Sequence, residues 1–381
     1  MASCNAARRV RSVTPILGAE QTERSDHLVI LDFPHAFTAD ETERRVPDVA
    51  AAKARLCGHE APLEALLAAL RERFAELLVD AADVALLERS MDALRVAYAR
   101  LALRHGRLGS DFHAYHNEGH ILDICGSRIA RLCDAQGLHA LDLRSWCSLL
   151  LFGAGHDLRQ REATQIAGGV GANERASSEE TQRILDICDF SRADDADLYL
   201  ASELTIAGST FDARPPAGGY FYNAADLVQS GGALAGRLAD ILDAQQPDWR
   251  ADDRLVRAQR LALISADLDT ANVAEPFDKF ARSGENLCRE REMLSGRSLA
   301  AGESALPVLG FLTDGQDRFF FELHRFQSDA GRATFEAGKQ ANAARLKALS
   351  MGVRARIALR GLPSNGDEVI AAYRSTLADL V

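Results

Sequence analysis

The chain has 381 residues, 44 Lys and Arg against 55 Asp and Glu, a net charge of -11 and a pI of about 5.5. That acidic balance excludes a general nucleic-acid binder, which needs a positive field to release counterions, but allows a small phosphorylated substrate whose charge bound metal offsets. Its seven cysteines form no C-x-x-C pair, no apolar h-region follows Arg8, Arg9 and Arg11, and no uncharged run is long enough for a membrane span; the expectation is a cytoplasmic protein with reduced thiols and no membrane partner.

Residues 1–60 read as an N-terminal extension, partly mobile, and residues 61–381 as one helical domain. Leu28 to Phe33 suits a short strand or packing arm ended by Pro34, and Thr38-Ala39-Asp40-Glu41 has the form of a capping box. Apolar residues at helical spacing predict helices over 61–78, 83–108 and 118–134. The run from Leu141 to Ala154, with Trp146-Cys147-Ser148-Leu149-Leu150-Leu151-Phe152, predicts a buried central helix ending at His156-Asp157. Arg159 to Gly171 reads as a loop. Helical patterns recur over 173–187, 194–206, 223–242, 252–267, 317–326, 330–349 and 367–380, with a break at Pro215-Pro216-Ala217-Gly218-Gly219. The fold class is all-α.

Three stretches carry chemistry: Tyr115-His116-Asn117-Glu118-Gly119-His120, Gly155-His156-Asp157 and Ala266-Asp267-Leu268-Asp269. Each histidine alone is more often a polar core residue. Together they offer imidazoles and carboxylates, a protein ligand set for a divalent metal with positions left for water. His105, His113, His139 and His324 have no motif partner and read as structural. Phe319-Phe320-Phe321 reads as core, Arg159 and Arg161 as solvated loop residues, and Asp269 as an N-cap or supporting residue beside Asp267.

The pattern resembles the HD superfamily of metal-dependent phosphohydrolases. Tyr115-His116-Asn117-x-x-His120, with Ala266-Asp267-Leu268 and Gly310-Phe311-Leu312, further resembles the class I cyclic-nucleotide phosphodiesterases over roughly residues 85–330. The resemblance implies a multi-helix bundle holding two divalent metal ions, of zinc, manganese, magnesium, iron or nickel. It implies His120, His156, Asp157 and Asp267 as metal ligands, His116 as the general acid and Glu174 as a residue orienting water. Phe311 matches the aromatic that stacks on a base, and Tyr115 and Asn117 flank His116 as substrate-side residues. Val308 stands where the family has a glutamine, leaving Gln316 as the candidate amide, and Gln160 replaces a second histidine. The implied activity is hydrolysis of a phosphodiester, first of all a cyclic nucleotide, by metal-activated water. The alternatives are an HD-type phosphomonoesterase or nucleotidase, and a non-catalytic nucleotide-binding protein.

Overall fold

The computed structural model describes Leu31 and residues 37–162, 166–167, 170–211 and 233–380. It is 76% helical, with essentially no sheet among the described residues, as the apolar periodicity predicts. The break at 215–219, most of the stretch 28–33 and the start of the 223–242 pattern lie outside the described residues.

The chain begins with α1 (Glu41–Arg45) and α2 (Val49–Leu56), both inside the stretch that reads as an extension. The capping box lies two residues later than its sequence form suggests, with Asp40 rather than Thr38 as N-cap and Glu43 as its reciprocal partner. Next come α3 (Ala61–Phe74) and α4 (Ala81–Arg104), the latter capped by Asp80, whose carboxylate accepts from the Ala82 and Asp83 amides. The helix expected over 118–134 is interrupted: α5 (Glu118–Leu122) passes through a π turn, Asp123–Arg128, into α6 (Ile129–Gln136). Such turns rotate the side chains that follow, and this one ends on Arg128, which reaches the candidate site.

Two helices form the centre. In α7 (Leu143–Gly155) every residue but Arg144 is buried, as its apolar run predicts. After a two-residue hairpin, β1 (Ile166–Ala167) with β2 (Val170–Gly171), in a stretch that reads as loop, the chain enters α8 (Ala172–Ile187) and α9 (Ala196–Ser209). In α9 only Asp197 and Ser209 escape burial. A helix apolar all round must be surrounded, and α9 contacts α7, α8 and a later helix over Asp253–Thr270. Close approach is possible because Gly208 has no Cβ; one there would sit 3.2 Å from Ala235 and Ala262.

The remainder is α10 (Leu238–Gln245), α11 (Asp253–Thr270), α12 (Phe277–Leu294), α13 (Ala305–Gly310), a run of π and α turns to Leu323, α14 (Asp329–Arg360) and α15 (Gly366–Ala378). Of these, α12 is absent from the sequence reading. Its run of charges, Arg289-Glu290-Arg291-Glu292, obscures an apolar stripe through Phe277, Phe280, Ala281 and Cys288. Phe320 lies in the core, with Phe319 and Phe321 packed against it, as expected.

A buried ionic knot ties α1 to the bundle. Glu43 and Glu180 meet Arg100, Arg104, Arg159 and Arg183, and the Arg100 guanidinium also donates to the Val46 carbonyl. Arg159 is therefore bound within the protein, paired with Glu43 and Glu162, rather than a solvated loop residue.

Candidate metal centre

Three helix ends converge. His120 stands on α5, His156 and Asp157 follow the last residue of α7, and Asp269 lies in the last turn of α11. One donor atom from each of the four lies within 4.8 Å of the others. His120 Nε2 is 3.5 Å from Asp157 Oδ2 and 3.2 Å from Asp269 Oδ1; His156 Nε2 is 2.9 Å and 3.4 Å from the same oxygens. Metal–donor bonds of about 2.0–2.2 Å place neighbouring ligands about 3 Å apart, so these separations suit a common ion.

The donor atoms are also available. His156 Nε2 and Asp157 Oδ2 are buried without a hydrogen-bond partner, a state that is costly unless something else satisfies them. The other atoms of these groups are engaged. His156 Nδ1 lies 3.2 Å from the Phe152 carbonyl, which accepts its proton, so Nε2 is the nitrogen that faces the carboxylates. Gln160 donates to Asp157 Oδ1 at 2.8 Å and so orients the Asp157 carboxylate. Arg128 donates to the carbonyls of Leu268 and Asp269, at 2.8 and 2.5 Å, and fixes the end of α11. His120 and His156 are almost wholly buried, whereas the side chains of Asp157 and Asp269 keep 15% and 22% exposure. The centre therefore opens to solvent on its carboxylate side.

Asp267, the aspartate expected as a ligand, is not in this group. Its carboxylate accepts from the Gln327 amide at 2.6 Å, the Ser328 amide at 2.8 Å and the Ser328 hydroxyl at 2.6 Å. Ser328 is the N-cap of α14, so Asp267 anchors the start of that helix. The contact is tight: a Cβ on Gly331 would lie 2.1 Å from Asp267 Oδ2. Residues two apart on a helix point about 200° from each other, so only one of Asp267 and Asp269 can face the histidines. The two aspartates stand opposite to that expectation: Asp269 faces the histidines and Asp267 holds the start of α14.

His116 borders the open side. Its Nδ1 is 2.6 Å from Glu290 Oε1, and its Nε2 is 4.0 Å from Asp157 Oδ2. Glu290, on α12, also accepts from the Tyr115 and His116 amides at 2.9 and 3.0 Å and meets His113 Nδ1 at 3.2 Å. Burial opposes charge on His116, but Glu290 and Asp157 outweigh it and push His116 up to about 9. Burial works against the Glu290 charge as well; His116 and His113 overcome it and hold that carboxyl far below its usual range. Asp157 and Asp269 likewise overcome the burial of His156 and push it up to about 10.

The other sequence candidates divide. Glu174 is in the first turn of α8, curled back so that a Cβ on Gly171 would meet its Oε2 at 2.1 Å. Burial, with the charge of Asp157, pushes its carboxyl up to about 7. Tyr115 packs its ring 4.9 Å from His116 and 4.8 Å from His120. Asn117 is committed to local structure: it caps α5, accepting from the Gly119 amide and donating to the His113 carbonyl. Phe311 is buried with the Arg291 guanidinium 5.4 Å from its ring centre, and Gln316 packs beside Gly284 of α12. Neither belongs to the four-residue group. Glu290 and Arg128 went unmarked in the sequence, since a glutamate among alternating charges and an arginine near a helix middle carry no motif.

No protein-family model matches the chain, and no curated protein matches it.

Proposed function

We propose that the protein is a metal-dependent phosphohydrolase of HD type that cleaves a phosphodiester, with cyclic nucleotides as the first substrates to test. The observation that carries this reading is the position of His116. Its Nδ1 is held by a buried carboxylate and its Nε2 borders the exposed side of a His2Asp2 cluster. A cluster alone would support any metal role, whereas a proton-bearing imidazole beside it supports acid catalysis.

His120, His156, Asp157 and Asp269 would hold the metal, and Asp157, on the exposed side, is suited to bridge to a second ion. Divalent metal bound there would supply Lewis-acid charge to the phosphoryl oxygens and would lower the pKa of water. His116 holds a proton on Nε2, placed to pass to the leaving oxygen as the P–O bond breaks, while Glu290 stabilises the imidazolium before transfer. Glu174, near neutral titration and within range of the cluster's charges, is suited to orient the attacking water or take its proton.

The test is hydrolysis by metal-loaded protein of cyclic AMP, cyclic GMP and an aryl phosphodiester, with products separated. A linear nucleotide supports the phosphodiesterase reading. Turnover of phosphomonoesters alone, with release of inorganic phosphate, replaces it by the nucleotidase reading, and absence of any turnover with metal bound defeats both in favour of a binding protein. Val308, fully buried where a base-reading glutamine would stand, favours including substrates without a purine.

A further inference from the structure

We propose that His105, Asp111 and His113 form a second, separate site for a zinc-class divalent ion, which pins the loop between α4 and α5 behind His116. This inference is independent of the reaction assigned to the four-residue centre.

One donor atom from each of the three residues lies within 4.8 Å of the others. Asp111 Oδ2 is 3.3 Å from His105 Nδ1 and 3.2 Å from His113 Nε2. A tetrahedral zinc with bonds of about 2.0–2.1 Å places its ligands about 3.3 Å apart. The two imidazole rings are tilted 35° to one another, with centres 3.9 Å apart.

The second observation is the state of His105. It is 1% exposed, yet neither ring nitrogen makes a hydrogen bond. A buried imidazole with both nitrogens unsatisfied is expensive, and a ligated metal would satisfy one of them directly. His113 has a different environment. Its Nε2 faces Asp111, and its Nδ1 meets the buried Glu290 at 3.2 Å, the carboxylate–histidine arrangement that orients a metal-binding imidazole. His113 Nε2, 3.2 Å from Asp111 Oδ2, is the nitrogen that would take the ion.

Asp111 also pairs with Arg161, whose Nε donates to Oδ2 at 2.8 Å and whose Nη2 meets Oδ1. Both groups are partly exposed, so Arg161 can keep Oδ1 while Oδ2 turns to the ion. Two imidazole nitrogens and one carboxylate suit zinc rather than magnesium or calcium, which take oxygen ligands.

The loop is already drawn closed, because the His113 amide donates to the His105 carbonyl at 2.8 Å. Glu290 then links His113 to His116 and to the Tyr115 and His116 amides. An ion here would therefore brace the backbone that presents His116.

The experiment removes the first centre with His156→Ala and Asp269→Ala in the full chain, strips metal with a chelator, and adds zinc, or cobalt as a spectroscopic substitute. One tightly held equivalent is expected, with the visible absorption of four-coordinate cobalt, and it should be lost on adding Asp111→Asn or His105→Phe. In the otherwise unaltered protein, Asp111→Asn, a change at a partly exposed position, should lower tightly held zinc by one equivalent. If Asp111→Asn and His105→Phe both leave the zinc content of folded protein unchanged, the site does not exist. The same holds if folded protein lacking the first centre retains no ion.

Discussion

Glu290 Oε1 lies 2.6 Å from His116 Nδ1, so the imidazole beside the metal centre is gripped from behind by a carboxylate that is itself 2% exposed. The pair sets both the tautomer and the charge of His116. Glu290→Gln should keep the shape but remove the charge that raises the imidazole. We expect phosphodiester turnover to fall about 10²–10³-fold, within the usual range for general acid catalysis. The alkaline limb of the rate profile should move to lower pH, because His116 would lose its proton sooner. Metal held by the four-residue group should remain unchanged. A variant with lowered metal content and an unmoved alkaline limb would show Glu290 to be a support of the metal centre rather than of His116.

Asp267 and Asp269 offer a direct contrast. Asp269→Ala removes a donor from the four-residue group and should release the metal held there, leaving only the equivalent expected at His105, Asp111 and His113, measured by metal analysis after dialysis. Asp267→Ala should leave the metal bound. It strands the Gln327 and Ser328 amides and the Ser328 hydroxyl at the start of α14, which should cost about 1–3 kcal/mol in denaturant unfolding. Loss of metal with Asp267→Ala, and its retention with Asp269→Ala, would restore the sequence assignment.

That contrast also shows where sequence reasoning reaches its limit. The helical class and the buried α7 were legible because periodicity and a long apolar run are local properties. That His120, His156 and Asp157 come together was legible from their residue types and from the motifs that hold them. The choice between Asp267 and Asp269 was not, since both occupy one turn and only the packing of α11 against α14 tells which faces the histidines. Glu290 was invisible for a related reason. It is 174 residues from His116, and its neighbours in sequence are charged, so burial there depends on the assembled bundle. His105 and His113 read as structural because their partner, Asp111, lies in a loop with no periodicity at all.

Arg128 should matter to the metal centre without touching a metal. Its guanidinium is 1% exposed and holds the Leu268 and Asp269 carbonyls at the end of α11. Arg128→Met keeps much of the apolar volume but frees those carbonyls. Residues that position ligands in this way typically contribute about 10–100-fold to metal affinity. A loss of that size in competition with a chromophoric chelator is expected, with far-UV circular dichroism unchanged. Affinity equal to the parent would mean that packing alone fixes Asp269.

His324 gives a pH dependence remote from the ligands. Burial, aided by the positive charges of Lys339 and Arg325, holds its imidazole down at about 3, and its Nε2 lies 3.1 Å from the Thr270 hydroxyl. Lys339 donates to the His324 carbonyl at 2.9 Å. An unfolded histidine titrates near 6.5, so between that pH and about 3 the unfolded chain takes up a proton that the folded chain refuses. The folded state therefore loses stability as pH falls below 6.5, by about 1.4 kcal/mol per pH unit for this one residue. From pH 7 to pH 5 the loss should be about 2 kcal/mol. His105, held down to about 3 by burial and by His113, adds a change of the same sign, so the total slope cannot be assigned to one histidine. The difference between proteins can. His324→Gln should lower stability at pH 7 yet lose about 2 kcal/mol less than the parent between pH 7 and pH 5, by urea unfolding at each pH. Parallel curves for the two proteins would show that His324 is protonated as readily in the fold as in water.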